Sequence, residues 1–502
     1  MVGETTAKKG SGAISRRTVL GAAVAGGAGV AATRLLGLRR AVEVDPARLT
    51  ANALASRSGL DWVSPLGPPA TAAAEAKVAQ LLRRTTFGYT PAELAQATSD
   101  GFDRTVDRLI ETPPALPPEL AGAETASPEK PLRPDLLQTW WIDWMLASPT
   151  PFAEKMTLLW HGHFTSEYRK VGLQSPYVYW QNLTWRRFAL GDLRSMLYEV
   201  TIDPAMLVYL DLARSTARNP NENYARELME LYTMGPEAFT EDDVKAGSRT
   251  LTGWREPRTQ AMIDAQLAKA LKETGKAPAR VPTADTVKTG VFERSRAASG
   301  GIPFLGITKA FDTQAVIDRI LEMPQTARFI TRKMLVRFVS PTIEHSTIER
   351  IAASFLRSRY DLKTLMRDVL GSPEFAASSA YRALLKSPTE FMVSAAKALQ
   401  APALSRLIVQ SGSGMGQVLF DPPSVGGWPE NESWISSNTM LARINFVTAA
   451  LNQTRKLPSV DRAHEQFLDS TLSPQTLLLL NEAADERRRW SMVLASPEFQ
   501  LK

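Results

Sequence analysis

The chain has 502 residues, of which 44% are hydrophobic and 22% charged, ordinary values for a folded chain, which exclude wholesale disorder, collagen-like repetition and a polytopic membrane protein. The formal charge of +7 includes a local +3 in residues 1–32 and is only +4 without them, so bulk charge lends no support to nucleic-acid binding. There is no cysteine, which removes disulfides, iron–sulfur clusters and thiol nucleophiles, and any imidazole chemistry must draw on His161, His163, His345 and His464.

The first segment reads as an address. Lys8, Lys9, Arg16 and Arg17 precede a weakly apolar stretch of Ala, Gly and Val ending in small residues at Val30-Ala31-Ala32, a signal-peptide pattern. Ser15-Arg16-Arg17-Thr18-Val19-Leu20 resembles the twin-arginine signal that exports folded bacterial proteins. Glycines 21, 26, 27 and 29 dilute the stretch below what a spanning helix needs, and no later stretch is apolar enough to span. The mature protein is therefore expected in the periplasm, in the medium or on the cell surface. Residues 33–71 read as an extended leader.

From residue 72 the signals are helical. Thr90-Pro91 places a cap residue before a first-turn proline, and Phe102, Val106, Leu109 and Ile110 share one face. Prolines 113, 114, 117, 118, 128, 131 and 134 mark a surface connector. Helices are predicted again over Asp135–Leu146 and Phe152–Trp160, with apolar stripes at Ala327–Phe338 and Met440–Leu451. Residues 255–301 show little apolar periodicity and read as a mobile insertion. A Leu-x-Ser-Pro string recurs at 146–149, 370–373, 385–388 and 494–497, with serine placed as cap and proline as first helical residue. Sustained period-2 alternation is missing, so the expectation is an all-α, multi-helical single domain over 72–502.

Three constellations could carry chemistry. In Trp160-His161-Gly162-His163-Phe164 the two imidazoles project to one side only on extended backbone; in a continuous helix they diverge by ~200°. Gly162 allows a helix end here, which would let both rings face one metal ion, although a catalytic zinc needs three protein ligands. The second is Asn219–Gly235, a helix with Tyr224, Leu228 and Leu231 on its apolar face and Glu222, Arg226 and Glu230 along one i, i+4 line beside Glu227. That line reads as a solvated face laced with ion pairs, or as an arginine-positioned carboxylate cluster able to hold a hard cation. The third begins at Thr240 with a capping box to Asp243. Asp242 and Arg249 are candidates to join the carboxylates.

The string from Asn219 to Trp254, read with Trp160–Phe164, resembles the bacterial domain-of-unknown-function family numbered 1800. So do Gly416–Phe420, Pro422–Pro429, Trp434, Arg443–Phe446, Tyr360-Asp361-Leu362, Leu370–Phe375 and Lys386-Ser387-Pro388. The likeness spans roughly Ala76 to Phe499. It implies an exported protein and, as a partner, an exported protein of the alkaline-phosphatase-like family numbered 1501; it implies no reaction. This chain departs from the family pattern at Tyr232, where histidine is common, and near Glu293-Arg294, where a His-Asp pair is common.

Two functional classes stay open. One is a non-catalytic exported helical protein that binds a partner or a polymer. The other is a hydrolase-like enzyme dependent on a metal or cofactor, with a divalent metal on His161, His163 and Glu227 and a charged network of Glu222, Arg226, Glu230, Asp242 and Arg249. Trp428 and Trp434, around a loop rich in proline and glycine, read as buried lids over helix ends rather than a sugar-binding platform.

Overall fold

The computed structural model describes residues 73–469 and 473–502; the export signal read in 1–32 and the leader at 33–71 lie outside them. Several helices begin where the sequence supplies a cap followed by proline. Thr90 accepts a hydrogen bond from the Glu93 amide while the Glu93 side chain accepts one from the Thr90 amide, opening Pro91–Asp100. Ser387-Pro388 opens a helix in the same way, and Ser372-Pro373 and Ser496-Pro497 open helices with the serine hydroxyl accepting from the Phe375 and Phe499 amides. The fourth Ser-Pro does not. Ser148 closes Pro134–Ala147 and Thr150-Pro151 opens the next helix, because the Ser148 hydroxyl is bonded to the Thr150 amide at 3.2 Å instead of capping.

Twenty-four α-helices and two two-stranded antiparallel sheets are found among the described residues. The architecture is all-α. Strand β1 (Trp254–Arg255) pairs with β2 (Val291–Phe292), Trp254 opposite Phe292; β3 (Ile302–Phe304) pairs with β4 (Ile307–Lys309). One continuous hydrophobic core runs from Val78 to Phe499. Its axis is the Pro151–His163 helix, whose residues 152–161 are all buried. A helix without a polar face is stable only inside a larger body.

Residues 255–301 differ from the expected loop. They hold a helix, Gln260–Thr274, capped by Thr259 and ended by Gly275 in a left-handed conformation. Strand β2 follows, and Arg255 ties the segment together by bonding Asp285 at 2.8 and 3.0 Å and Glu293 at 2.7 Å. The helix escaped the periodicity argument because only Ile263 and Ala265 are buried along it. The proline-rich connector is irregular chain as expected, yet it is pinned to the body: the Trp140 indole donates to the Pro118 carbonyl at 2.7 Å, and Leu132 donates its amide to Leu173.

Candidate functional site

The central helix carries four ionisable groups, and none can be buried unpaired without a large penalty. Each is met. Glu154 receives two hydrogen bonds of 2.8 Å from Arg186 and a third from the Trp141 indole. Lys155 donates to the Thr86 carbonyl at 2.9 Å and pairs with Glu390. The last two groups are the imidazoles.

The helix runs unbroken through His163 and is capped by Phe164, so the two rings diverge and do not face one ion. His161 lies among Trp141, Phe420 and Trp428, with ring centroids 5.0 to 5.3 Å away. Its Nε2 accepts the Phe420 amide at 3.0 Å. His163 lies among Phe164, Tyr232 and Phe329. The Lys333 ammonium can only donate, at 2.9 Å, to His163 Nδ1, so Nε2 carries the proton and donates to the Tyr232 carbonyl at 3.0 Å. Burial drives the His161 pKa down to about 3. It drives that of His163 well below the usual range, with Lys333 adding to the effect. Both are neutral structural rings. Lys333 is itself pushed down to about 8, by burial first and Arg337 second.

The metal site expected on His161, His163 and Glu227 is therefore not formed. Three of the four ring nitrogens are already bonded to the protein, and no group of three or more His, Asp or Glu suited to a metal ion occurs among the described residues. The segment expected beside the histidines does lie there, but through its backbone. Tyr224 is buried and bonds Thr201 at 2.9 Å. After Asn223–Glu227 the helix widens into a π turn, Leu228–Thr233, which sets the Leu231 and Tyr232 carbonyls toward Lys333 and His163. Tyr232, where the resemblance implies histidine, stands against the His163 ring at 5.9 Å.

The carboxylates face outward. Arg226 bonds Glu241 at 2.7 and 2.8 Å and reaches Glu222 at 3.4 Å, while Glu230 adds only a longer-range attraction to Arg226. Asp242 pairs with Lys245 instead, and Arg249 is exposed without an ion pair among the described residues. So Glu222, Arg226 and Glu230 form the expected line, Asp242 and Arg249 do not join it, and Glu241 does. Glu227 is half-buried, its pKa raised by burial and by Glu230.

Two features went unread in the sequence. The first is a cleft lined by Lys155, Gly162, Arg337, Gln417, Trp428 and Trp434, with Glu390 and Lys502 at its base. Both tryptophans are buried, as expected of lids. Glu390 accepts from Lys155 and Lys502 on one oxygen and from the Ser387 amide on the other; the two ammonium groups hold its pKa well below the carboxylate range. The signal was available: Glu154-Lys155 interrupts an apolar run that offers no polar face.

The second is a concavity of about 520 Å³ between the body and the 255–301 segment. Lys170, Arg214, Arg255, Arg258 and Arg296 line it against Asp211 and Glu256. Lys170 pairs with Asp211 at 3.0 Å, whereas exposed Arg214 and Arg258 have no ion pair among the described residues. Residues 255–301 hold nine Lys and Arg against five Asp and Glu; the rest of 73–502 holds 41 against 43. The excess positive charge is thus local to the segment that borders this cleft, three of whose cations, Arg255, Arg258 and Arg296, line it.

The family described as protein of unknown function (DUF1800) matches residues 80–501, and the chain belongs to it. No match was found among curated proteins or among solved structures.

Proposed function

We propose that this is an exported binding protein whose 520 Å³ cleft takes an acidic polymer or an acidic segment of a partner. The observation that carries this reading is that Arg214 and Arg258, without ion pairs among the described residues, line a cleft bordered by the positively charged 255–301 segment. Such a surface raises the local concentration of anions and speeds their capture. Leu207, Val208, Met262 and Ile263 supply an apolar floor for the backbone of such a chain. The histidines do no chemistry in this reading, because their nitrogens hold the fold. Export rests on Arg16-Arg17 and the segment behind them; replacing both with Lys should abolish appearance of the protein outside the cytoplasm, and undiminished export would refute that route.

The test of binding is isothermal titration with poly-L-glutamate and with neutral dextran. Poly-L-glutamate should bind and weaken with salt, and the pair Arg214→Glu and Arg258→Glu should weaken it about tenfold or more (~1.4 kcal/mol per tenfold). Equal binding of dextran, or an unaffected double variant, would overturn the reading.

A further inference from the structure

Around Glu390 buried cations outnumber carboxylates, and two of them, Lys155 and Lys502, line the cleft beneath Trp428. Glu390 is buried, and five buried cations feel it as a counter-charge: Lys155, Lys502, Arg84, Lys386 and Arg443. Arg83 and Arg382 close by are served by Asp469 instead. A carboxylate at the end of residue 502 would offset at most one of the five. Several donors remain unmet. Nε and Nη1 of Arg84 and Nε of Arg443 have no hydrogen-bond partner among the described residues. The Lys502 ammonium, with three N–H donors, has one partner among the described residues, Glu390.

Burial of unpaired charge costs several kcal/mol per ion, and proteins resolve it by shedding protons or by recruiting a counter-ion. Shedding protons answers part of this: burial takes Lys502 down to about 7. Arginine scarcely has that route, so Arg84 and Arg443 stay cationic at neutral pH, their pKa values near 9 and 10. Geometry offers the other route. The cleft, whose lining includes Lys155, Arg337, Glu390, Gln417, Trp428 and Lys502, leaves about 30 Å³, room for one small ion or a water molecule.

We propose that this space binds a small monovalent anion of the charge and size of chloride, seated against the Lys155 and Lys502 ammonium groups and covered by Trp428. The site is separate from the basic cleft and does not depend on the polymer-binding reading. Its role is to neutralise the cations that join the Pro151–His163 and Pro388–Ala398 helices to residue 502.

Crystals soaked in sodium bromide give the direct test. An anomalous peak between Lys155, Lys502 and Gln417 is expected; bromide peaks elsewhere on the protein with none in this space would overturn the proposal, the space then holding water. In solution, thermal unfolding of the full chain at constant ionic strength should shift up by ~2–3 °C as gluconate, which is too large for the space, is replaced by chloride. Lys502→Met, checked for retained helicity by circular dichroism, should lose most of that shift. Equal midpoints in the two salts for the wild-type chain would refute anion binding independently of how the variant folds.

Discussion

Glu154→Gln tests whether the axis of the fold is held by charge. Arg186 is fully buried and its guanidinium lies over Trp140 at 5.7 Å; its anionic partner is Glu154, through two bonds of 2.8 Å. Removing the carboxylate charge leaves a desolvated guanidinium with no counter-ion, a loss of ~3–5 kcal/mol. Arg186→Met does the converse and leaves a buried carboxylate. The double variant removes both charges at once, and because the pair itself contributes little beyond its own desolvation, it should be no worse than either single change. The expected coupling is then at least ~2 kcal/mol, well above the ~0.5 kcal/mol within which independent sites add. Urea unfolding followed by circular dichroism measures it. At about 2 cal/mol/K of unfolding entropy per residue, each kcal/mol moves the thermal midpoint of a body this size by only ~1 °C, so denaturant is the more sensitive axis. Additive losses in the double variant would refute the pairing argument.

Two further outcomes follow from the same core. His161 and His163 have folded pKa values below their unfolded value, so their stabilisation is complete above pH ~6.5 and is lost as pH falls toward the folded values. Each should contribute ~2 kcal/mol of loss between pH 6.5 and 5, and His161→Asn should flatten the measured slope; a wild-type midpoint unchanged from pH 7.5 to 5 would contradict the neutral-ring assignment. Gly427→Ala should be severely destabilising, since Gly427 sits at φ 83° and an added Cβ would strike the Gly162 carbonyl between the histidines; a loss under ~1 kcal/mol by the same urea assay would contradict the placement of that loop.

The helical body was readable because caps and prolines act locally. Thr90, Ser387 and Ser496 need only the next few residues to do their work. The site was harder, because its chemistry depends on separation along the chain. His161 meets Phe420, Lys155 meets Glu390 and Lys502, and Lys333 meets His163, all more than 150 residues apart. The metal reading failed at one local point, whether Gly162 ends the helix. Glycine disfavours helix interiors by roughly 1 kcal/mol, which burial of the surrounding turn outweighs; only Arg337 and Trp428 come near its open side. Glu222 does reach Arg226, a contact the i, i+4 spacing anticipates because it reports directly on the helix surface.

The attachment of residue 502 has a consequence for biosynthesis. Leu501 bridges Leu385, and Lys502 completes the contact between Glu390 and Lys155. At ~5–20 residues per second, roughly 20–70 s separate translation of Lys155 from that of its distal partner. Throughout this interval a helix whose residues 152–161 are all buried in the finished fold has its charged groups incompletely matched, and its interior contacts are completed only once residue 502 has been made.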